Sequence, residues 1–103
     1  MSIPQQGDIW WAETEVKRRP VLVITRSQAV QALKRVVVAP VSRTVRGIPT
    51  EVSLGPTEGL SVECVASFDN LETVLRSALT ERVGTLGPRR PEICETLRAL
   101  ADC

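Results

Sequence analysis

The sequence contains no histidine. That absence removes imidazole acid–base catalysis, Ser-His-Asp and Cys-His nucleophiles, and every metal motif that needs a histidine ligand. It also lacks a GxGxxG or Walker-type loop, and no clustered carboxylate pair suits a divalent cation. Neither a metal nor another cofactor is expected. Gly55, Gly59, Gly84 and Gly87 read as turn and bulge glycines, not phosphate cradles. Cysteine is scarce: Cys64, Cys94 and Cys103 are odd in number, widely spaced and without a CxxC pair. A zinc site or disulfide framework is therefore not expected, and a reducing compartment is the simplest setting. Cys64 and Cys94 are expected as small core residues, and Cys103 as part of a loose end. No apolar stretch approaches the roughly 20 residues of a membrane helix. Residues 1–6 have neither the basic nor the apolar region of a secretory signal. The expected location is the cytoplasm, away from membranes.

What is present is enough for one domain spanning residues 1–103. Hydrophobic residues make up 43% of the chain, which excludes wholesale disorder but gives a modest core. Burying a face against a partner subunit would supplement it. The net charge of +1 hides an asymmetry. Residues 17–50 hold eight basic side chains and no acidic one: Lys17, Arg18, Arg19, Arg26, Lys34, Arg35, Arg43 and Arg46. From residue 51 onward there are nine acidic and five basic residues. A fold that gathers the basic loops presents a positive face suited to a polyanion or an acidic peptide.

Residues 8–12 and 20–25 read as strands, the second a continuous β-branched-rich run with Pro20 tolerated at its first position. Ser27 is expected to cap a short helix through Leu33. The valine run of 35–42 predicts a strand buried on both faces or forming a barrel wall, with Pro40 at an edge or bulge. Further strands are expected at 48–54, 61–68, 71–75 and 81–86, with a turn at Asp69-Asn70. Residues 90–101 form the convincing amphipathic helix, with Ile93, Leu97 and Leu100 on one side and Cys94 and Ala101 beside them. Six or so short strands with tight turns and one terminal helix imply a small closed or partly closed antiparallel sheet. Trp10 and Trp11 point to opposite strand faces. One must face away from the core unless the strand bulges, and the outward one could pack in a dimer interface or stack on a base.

An ordered series of short motifs runs through the chain: Gly7-Asp8-Ile9-Trp10, Arg19-Pro20-Val21-Leu22-Val23, Val38-Ala39-Pro40-Val41-Ser42, Gly59-Leu60, and Asp69-Asn70-Leu71-Glu72-Thr73-Val74. In this order and spacing the series resembles the MazF/PemK family of toxin endoribonucleases. The resemblance implies an SH3-like antiparallel β-barrel of the MazF/PemK/CcdB type, mostly β with a C-terminal helix. It implies a homodimer that cuts single-stranded RNA at short preferred sequences without a metal, leaving 2′,3′-cyclic phosphate and 5′-hydroxyl ends. It also implies a cognate antitoxin whose acidic, flexible segment lies in the RNA groove. The same fold serves gyrase poisons of the CcdB type, and a non-catalytic nucleic-acid- or peptide-binding barrel is a further alternative.

Residue by residue, Arg19 matches the family's active-site arginine. Ser42 stands where threonine is usual and keeps the hydroxyl. Asp69 matches the acid of an acid–glutamine pair, with Asn70 in place of the glutamine. The basic residue common two places further on is Glu72 here, and Ser67 stands where some members have an arginine. The first connecting loop is short and lacks the histidine of a few relatives. Chemistry points the same way. Cleavage by a 2′-hydroxyl needs an in-line nucleophile, stabilisation of the phosphorane charge, and proton transfer at both ends. The guanidinium of Arg19 is a fork suited to two phosphate oxygens and a better electrostatic clamp than proton source. The Ser42 hydroxyl can bond a nonbridging oxygen or simply satisfy a strand end. Glu15, beside Arg19 in the first loop, and Asp69 are the candidates for the base, although carboxylates near arginines are weak bases. Lys17, Arg18, Arg43, Thr44, Arg46, Ser67 and Asn70 are the expected RNA-binding residues.

Overall fold

The computed structural model describes residues 3–101, so the expectation for Cys103 lies outside the described residues. Seven strands run in chain order: β1 (Asp8–Glu13), β2 (Arg18–Val23), β3 (Arg35–Ser42), β4 (Glu51–Leu54), β5 (Cys64–Ser67), β6 (Glu72–Leu75) and β7 (Leu79–Thr85). A one-turn helix α1 (Ser27–Val30) follows β2, and α2 (Glu92–Ala101) ends the described chain. The strand order is β4-β5-β3-β2-β1-β7, with β6 also attached to β3. The sheet is antiparallel and curls into a half-barrel with β4 and β7 at its ends. The expected mostly β chain with a C-terminal helix is present. No described helix is long and apolar enough to cross a membrane.

Strand β3 is the hub. One edge pairs β2, from Val21↔Pro40 to Val23↔Val38. The other pairs β6 from Arg35↔Leu75 to Val38↔Glu72, then hands over to β5 at Val41↔Ala66 and Ser42↔Val65. This corrects the expectation of an edge position or bulge for Pro40: it lies in the gap between those two ladders, so the donor it lacks breaks neither. Pro20 also differs from expectation. β2 begins two residues earlier, paired to β1 from Glu13↔Arg18. Pro20 instead falls where the β2–β3 ladder stops.

The apolar runs of β2 and β3 arise because the sheet is buried on both sides. Val21 and Val23 pack with Trp10, Ala12, Val30, Val36, Val38, Val74 and Leu79. Leu22, Ile24 and Ala39 face the opposite, larger core of Ile9, Val52, Leu54, Cys64, Ala66, Phe68, Leu86 and Ile93. Trp10 is buried and its indole Nε1 donates to Asp8 Oδ2 at 3.3 Å. Trp11 is the outward one, half-buried beneath Arg18, whose guanidinium carbon lies 4.2 Å from the ring centroid.

Several boundaries moved. Ser27 is inside α1, not its cap: its Oγ accepts the N–H of Gln6 at 2.9 Å, and Arg26 occupies the cap position. Instead of reaching Leu33, α1 ends at Val30, where the Arg76 guanidinium donates to the carbonyls of Val30 and Gln31 at 2.9 and 2.6 Å. The strand expected from residue 48 begins at Glu51, because Glu51 Oε1 accepts the N–H groups of Arg46 and Gly47, both at 3.0 Å, and holds that segment as a loop. Asp69 and Asn70 form a 3₁₀ turn with Phe68. On α2 the inward residues are Ile93, Thr96 and Leu97, whereas Leu100 is exposed in the last turn. Cys94, one residue off the Ile93 stripe, is exposed and is not a core residue. Cys64 is buried, and burial first, then the Glu58 carboxylate, pushes its thiol up despite the opposing Arg43.

A charged clamp fastens α2 to the half-barrel. Arg89 makes a bidentate pair with Glu92 (2.7 and 2.9 Å), reaches buried Glu58 at 3.3 Å, and donates to the Ser53 carbonyl at 2.9 Å. The Glu58 turn lies directly on β7, where a Cβ on Gly84 would stand 1.9 Å from the Glu58 carbonyl oxygen.

Candidate active site

Arg19 and Ser42 line one cavity because they lie just beyond the end of the β2–β3 ladder. Continuing the β2–β3 register past Val21↔Pro40 sets Arg19 opposite Ser42, beyond the last backbone pair. Side chains two apart share a strand face. Arg19 therefore continues the face of Val21 and Val23, and Ser42 that of Val38 and Pro40. On β6, Glu72 lies on the face of Val74, opposite Val38. On β5, Val65 is opposite Ser42, so Ser67 shares its face, and Glu51 of β4 is opposite Ser67.

These residues line one cavity of about 340 Å³: Arg19, Pro40, Ser42, Thr44, Arg46, Glu51, Ser67, Asn70 and Glu72. It opens where the smaller apolar core gives way to polar side chains. Arg19 forms an ion pair with Glu72 through Nη2. Its Nε is buried without a hydrogen-bond partner among the described residues, a costly arrangement. Ser42 Oγ accepts the N–H of Thr44 at 3.1 Å. That bond satisfies the strand end and leaves the hydroxyl proton available to a ligand. Asn70 Nδ2 donates to Ser67 Oγ at 2.9 Å, joining an exposed amide to a buried hydroxyl.

Six of the expected residues thus come together: Arg19, Ser42, Thr44, Arg46, Ser67 and Asn70. Others do not line this cavity. Asp69 is turned to the end of the 43–50 loop, where its Oδ2 accepts the Thr50 hydroxyl at 2.7 Å. Glu15 is exposed on the β1–β2 hairpin and lines a different depression with Arg35 and Thr73. Lys17 sits in the tip of that hairpin, its carbonyl accepting the Thr14 N–H at 2.9 Å. Arg18 pairs with Glu81 at 2.9 Å and Glu13 at 3.3 Å. Arg43 faces a separate hollow with Trp11, Pro20, Val41 and Cys64, because neighbours of Ser42 and Thr44 point to the other side.

Sequence reasoning missed Glu51 and Glu72 as site residues. Glu72 carried a signal, an acid where the resemblance implies a base. Glu51 carried none, since it enters through pairing with Ser67, sixteen positions on. Among the described residues, no group of three or more His, Cys, Asp or Glu could hold a metal ion.

With this geometry in hand, similarities to known proteins can be placed. Residues 5–101 match the family described as PemK-like, MazF-like toxin of type II toxin-antitoxin system. The chain is 40% identical over 101 residues to the probable endoribonuclease MazF2 of Mycobacterium tuberculosis, covering 96% of this chain and 99% of that relative. Among solved structures, the Mycobacterium tuberculosis toxin MazF-mt6 superposes with a TM-score of 0.83 at 35% identity, covering 92% of this chain and 96% of the other. An endoribonuclease in complex with its cognate antitoxin, from a mycobacterial species, shares the fold with a TM-score of 0.81 at 23% identity, covering 96% and 95% of the two chains.

Proposed function

The chain belongs to the PemK-like, MazF-like toxins of type II toxin–antitoxin systems, and on that footing we propose that it is a sequence-selective, metal-independent endoribonuclease acting on single-stranded RNA. In this reading the half-barrel is the SH3-like barrel of the family, the whole chain is one catalytic domain, and the working unit is a homodimer. The observation that carries it is that the Arg19 guanidinium and the Ser42 hydroxyl line one polar cavity.

The 2′-oxygen attacks phosphorus and the bond to the 5′-oxygen breaks. The 2′-hydroxyl loses a proton and the departing 5′-oxygen gains one, giving a cyclic phosphate and a 5′-hydroxyl. Arg19 holds two oxygens of the phosphorane and stabilises the charge that grows on them. The Ser42 hydroxyl donates to a nonbridging oxygen while Thr44 fixes its orientation. Thr44, Arg46, Ser67 and Asn70 hold the flanking backbone, and Arg43 extends contact over the ridge of β3. Lys17, at the tip of the β1–β2 hairpin, adds to the positive field that draws in RNA, whereas the charge of Arg18 is met by Glu13 and Glu81. Asp69 acts by tethering Thr50, and so the 43–50 loop. Glu15 lies outside the cavity.

A cognate antitoxin is the natural partner, as supported by the antitoxin complex of a chain sharing this fold, and an acidic segment of it would compete with RNA for Arg19 and Arg46. The test is incubation of pure protein with end-labelled RNA in excess chelator. Fragments with cyclic-phosphate ends are expected. Intact RNA after long incubation would sink the reading and leave a binding barrel or gyrase poison in its place.

A further inference from the structure

Glu72 holds the very guanidinium that the proposed chemistry needs. It lies at the start of β6, opposite Val38, and its carboxylate pairs with Arg19 Nη2 inside the cavity. Both side chains are partly accessible, 23% for Arg19 and 33% for Glu72, so a ligand entering the cavity reaches the pair. A carboxylate and a phosphate offer a guanidinium the same fork of oxygens. They therefore compete for it. The other lining carboxylate, Glu51, is already committed to the Arg46 and Gly47 amides.

We propose that Glu72 is a resident occupant of the phosphate site: its carboxylate holds Arg19 in place of an RNA phosphate and must yield before RNA is bound. The inference rests on the endoribonuclease reading of the cavity. Two consequences follow. RNA binding carries the cost of breaking the Arg19–Glu72 pair and of setting a phosphate beside a carboxylate. The cavity also neutralises one phosphate fewer than its arginines would allow, which flattens the salt dependence of binding.

The experiment measures binding of a mixed-sequence 2′-O-methyl oligonucleotide, which has no free 2′-hydroxyl to react, at several salt concentrations. Wild type is compared with Glu72→Gln, Arg19→Ala, the Arg19→Ala/Glu72→Gln double variant, and Glu95→Gln, which removes a charge from the exposed side of α2. Glu72→Gln is expected to bind about tenfold more tightly, the scale of a lost partly exposed pair and a relieved like-charge contact. Its salt slope should steepen by about 0.7, one phosphate contact on a single strand. The gain should vanish in the Arg19→Ala background, because the coupling runs through that residue. Glu95→Gln should match wild type. Unchanged or weaker binding by Glu72→Gln would make Glu72 a support for Arg19 and overturn the inference. So would equal tightening in Glu95→Gln or without Arg19. Should Glu72→Gln misfold, Glu72→Thr, which suits a strand, carries the same expectations. Wild-type protein that neither binds nor cleaves RNA overturns both readings. Wild-type cleavage with no gain in Glu72→Gln overturns only this one.

Discussion

Replacing Arg19 with alanine separates catalysis from binding. The guanidinium lines the cavity with Ser42 and is held there by Glu72, so in the proposed reaction it is a preorganised donor to the phosphorane. Losing one such donor costs about 10²–10³-fold in rate, or about 3–4 kcal/mol of transition-state stabilisation. The structural cost is far smaller. Among the described residues only the Glu72 pair is lost, and both partners are partly exposed, which places it at about 1 kcal/mol or less. Arg19→Ala should therefore remain folded while losing turnover at saturating RNA. Arg19→Lys should recover part of the rate, since a point charge cannot reproduce a two-pronged contact. Single-turnover cleavage, with RNA affinity measured separately and folding and dimerisation verified, decides the matter. Near-wild-type turnover with only weaker binding would refute the reasoning and move Arg19 from catalysis to substrate binding.

Ser42→Ala should cost about tenfold in the same assay, less than a charged donor because the lost bond is neutral, while Ser42→Thr keeps the hydroxyl and should be mild. Arg89→Met should lower stability by about 2 kcal/mol in urea unfolding, because buried Glu58 loses its counter-charge and the figure is reduced for the partial exposure of Arg89; an unchanged midpoint would show that the clamp is idle. The hydrogen bond and charge of Arg89 hold the Glu92 carboxyl below its ordinary 4.5. That contribution is present above 4.5 and lost as pH falls through the lower folded value, so the stability gap between wild type and Glu92→Gln should close on acidification and stay constant near neutrality. Sedimentation equilibrium at micromolar protein should return twice the chain mass, and a concentration-independent monomer would count against the proposed homodimer.

The β-branched runs of 20–25 and 35–42 declared strands, and the valines of the second implied burial on both faces or a barrel wall, because no polar residue interrupts them. Arg19 before Pro20 and Ser42 after Pro40-Val41 were legible as a strand start and a strand end, and the acid-free stretch of 17–50 as a source of positive field. These are local properties, carried by neighbours in the chain. Element ends were less legible: α1 lost its expected cap because Ser27 turned to Gln6, a partner 21 positions away, and Cys94 left the core because helix phase is set by docking on the half-barrel. The composition of the site was decided by tertiary structure alone. β3 shares its edges among β2, β5 and β6, and that sharing brings Glu72 to Arg19 and, through β5, Glu51 to Ser67. It also sends Asp69 to Thr50 and Arg43 to the opposite face. Such choices depend on strand register, where a shift of one residue reverses every side chain, and register is an agreement between strands that no single segment contains.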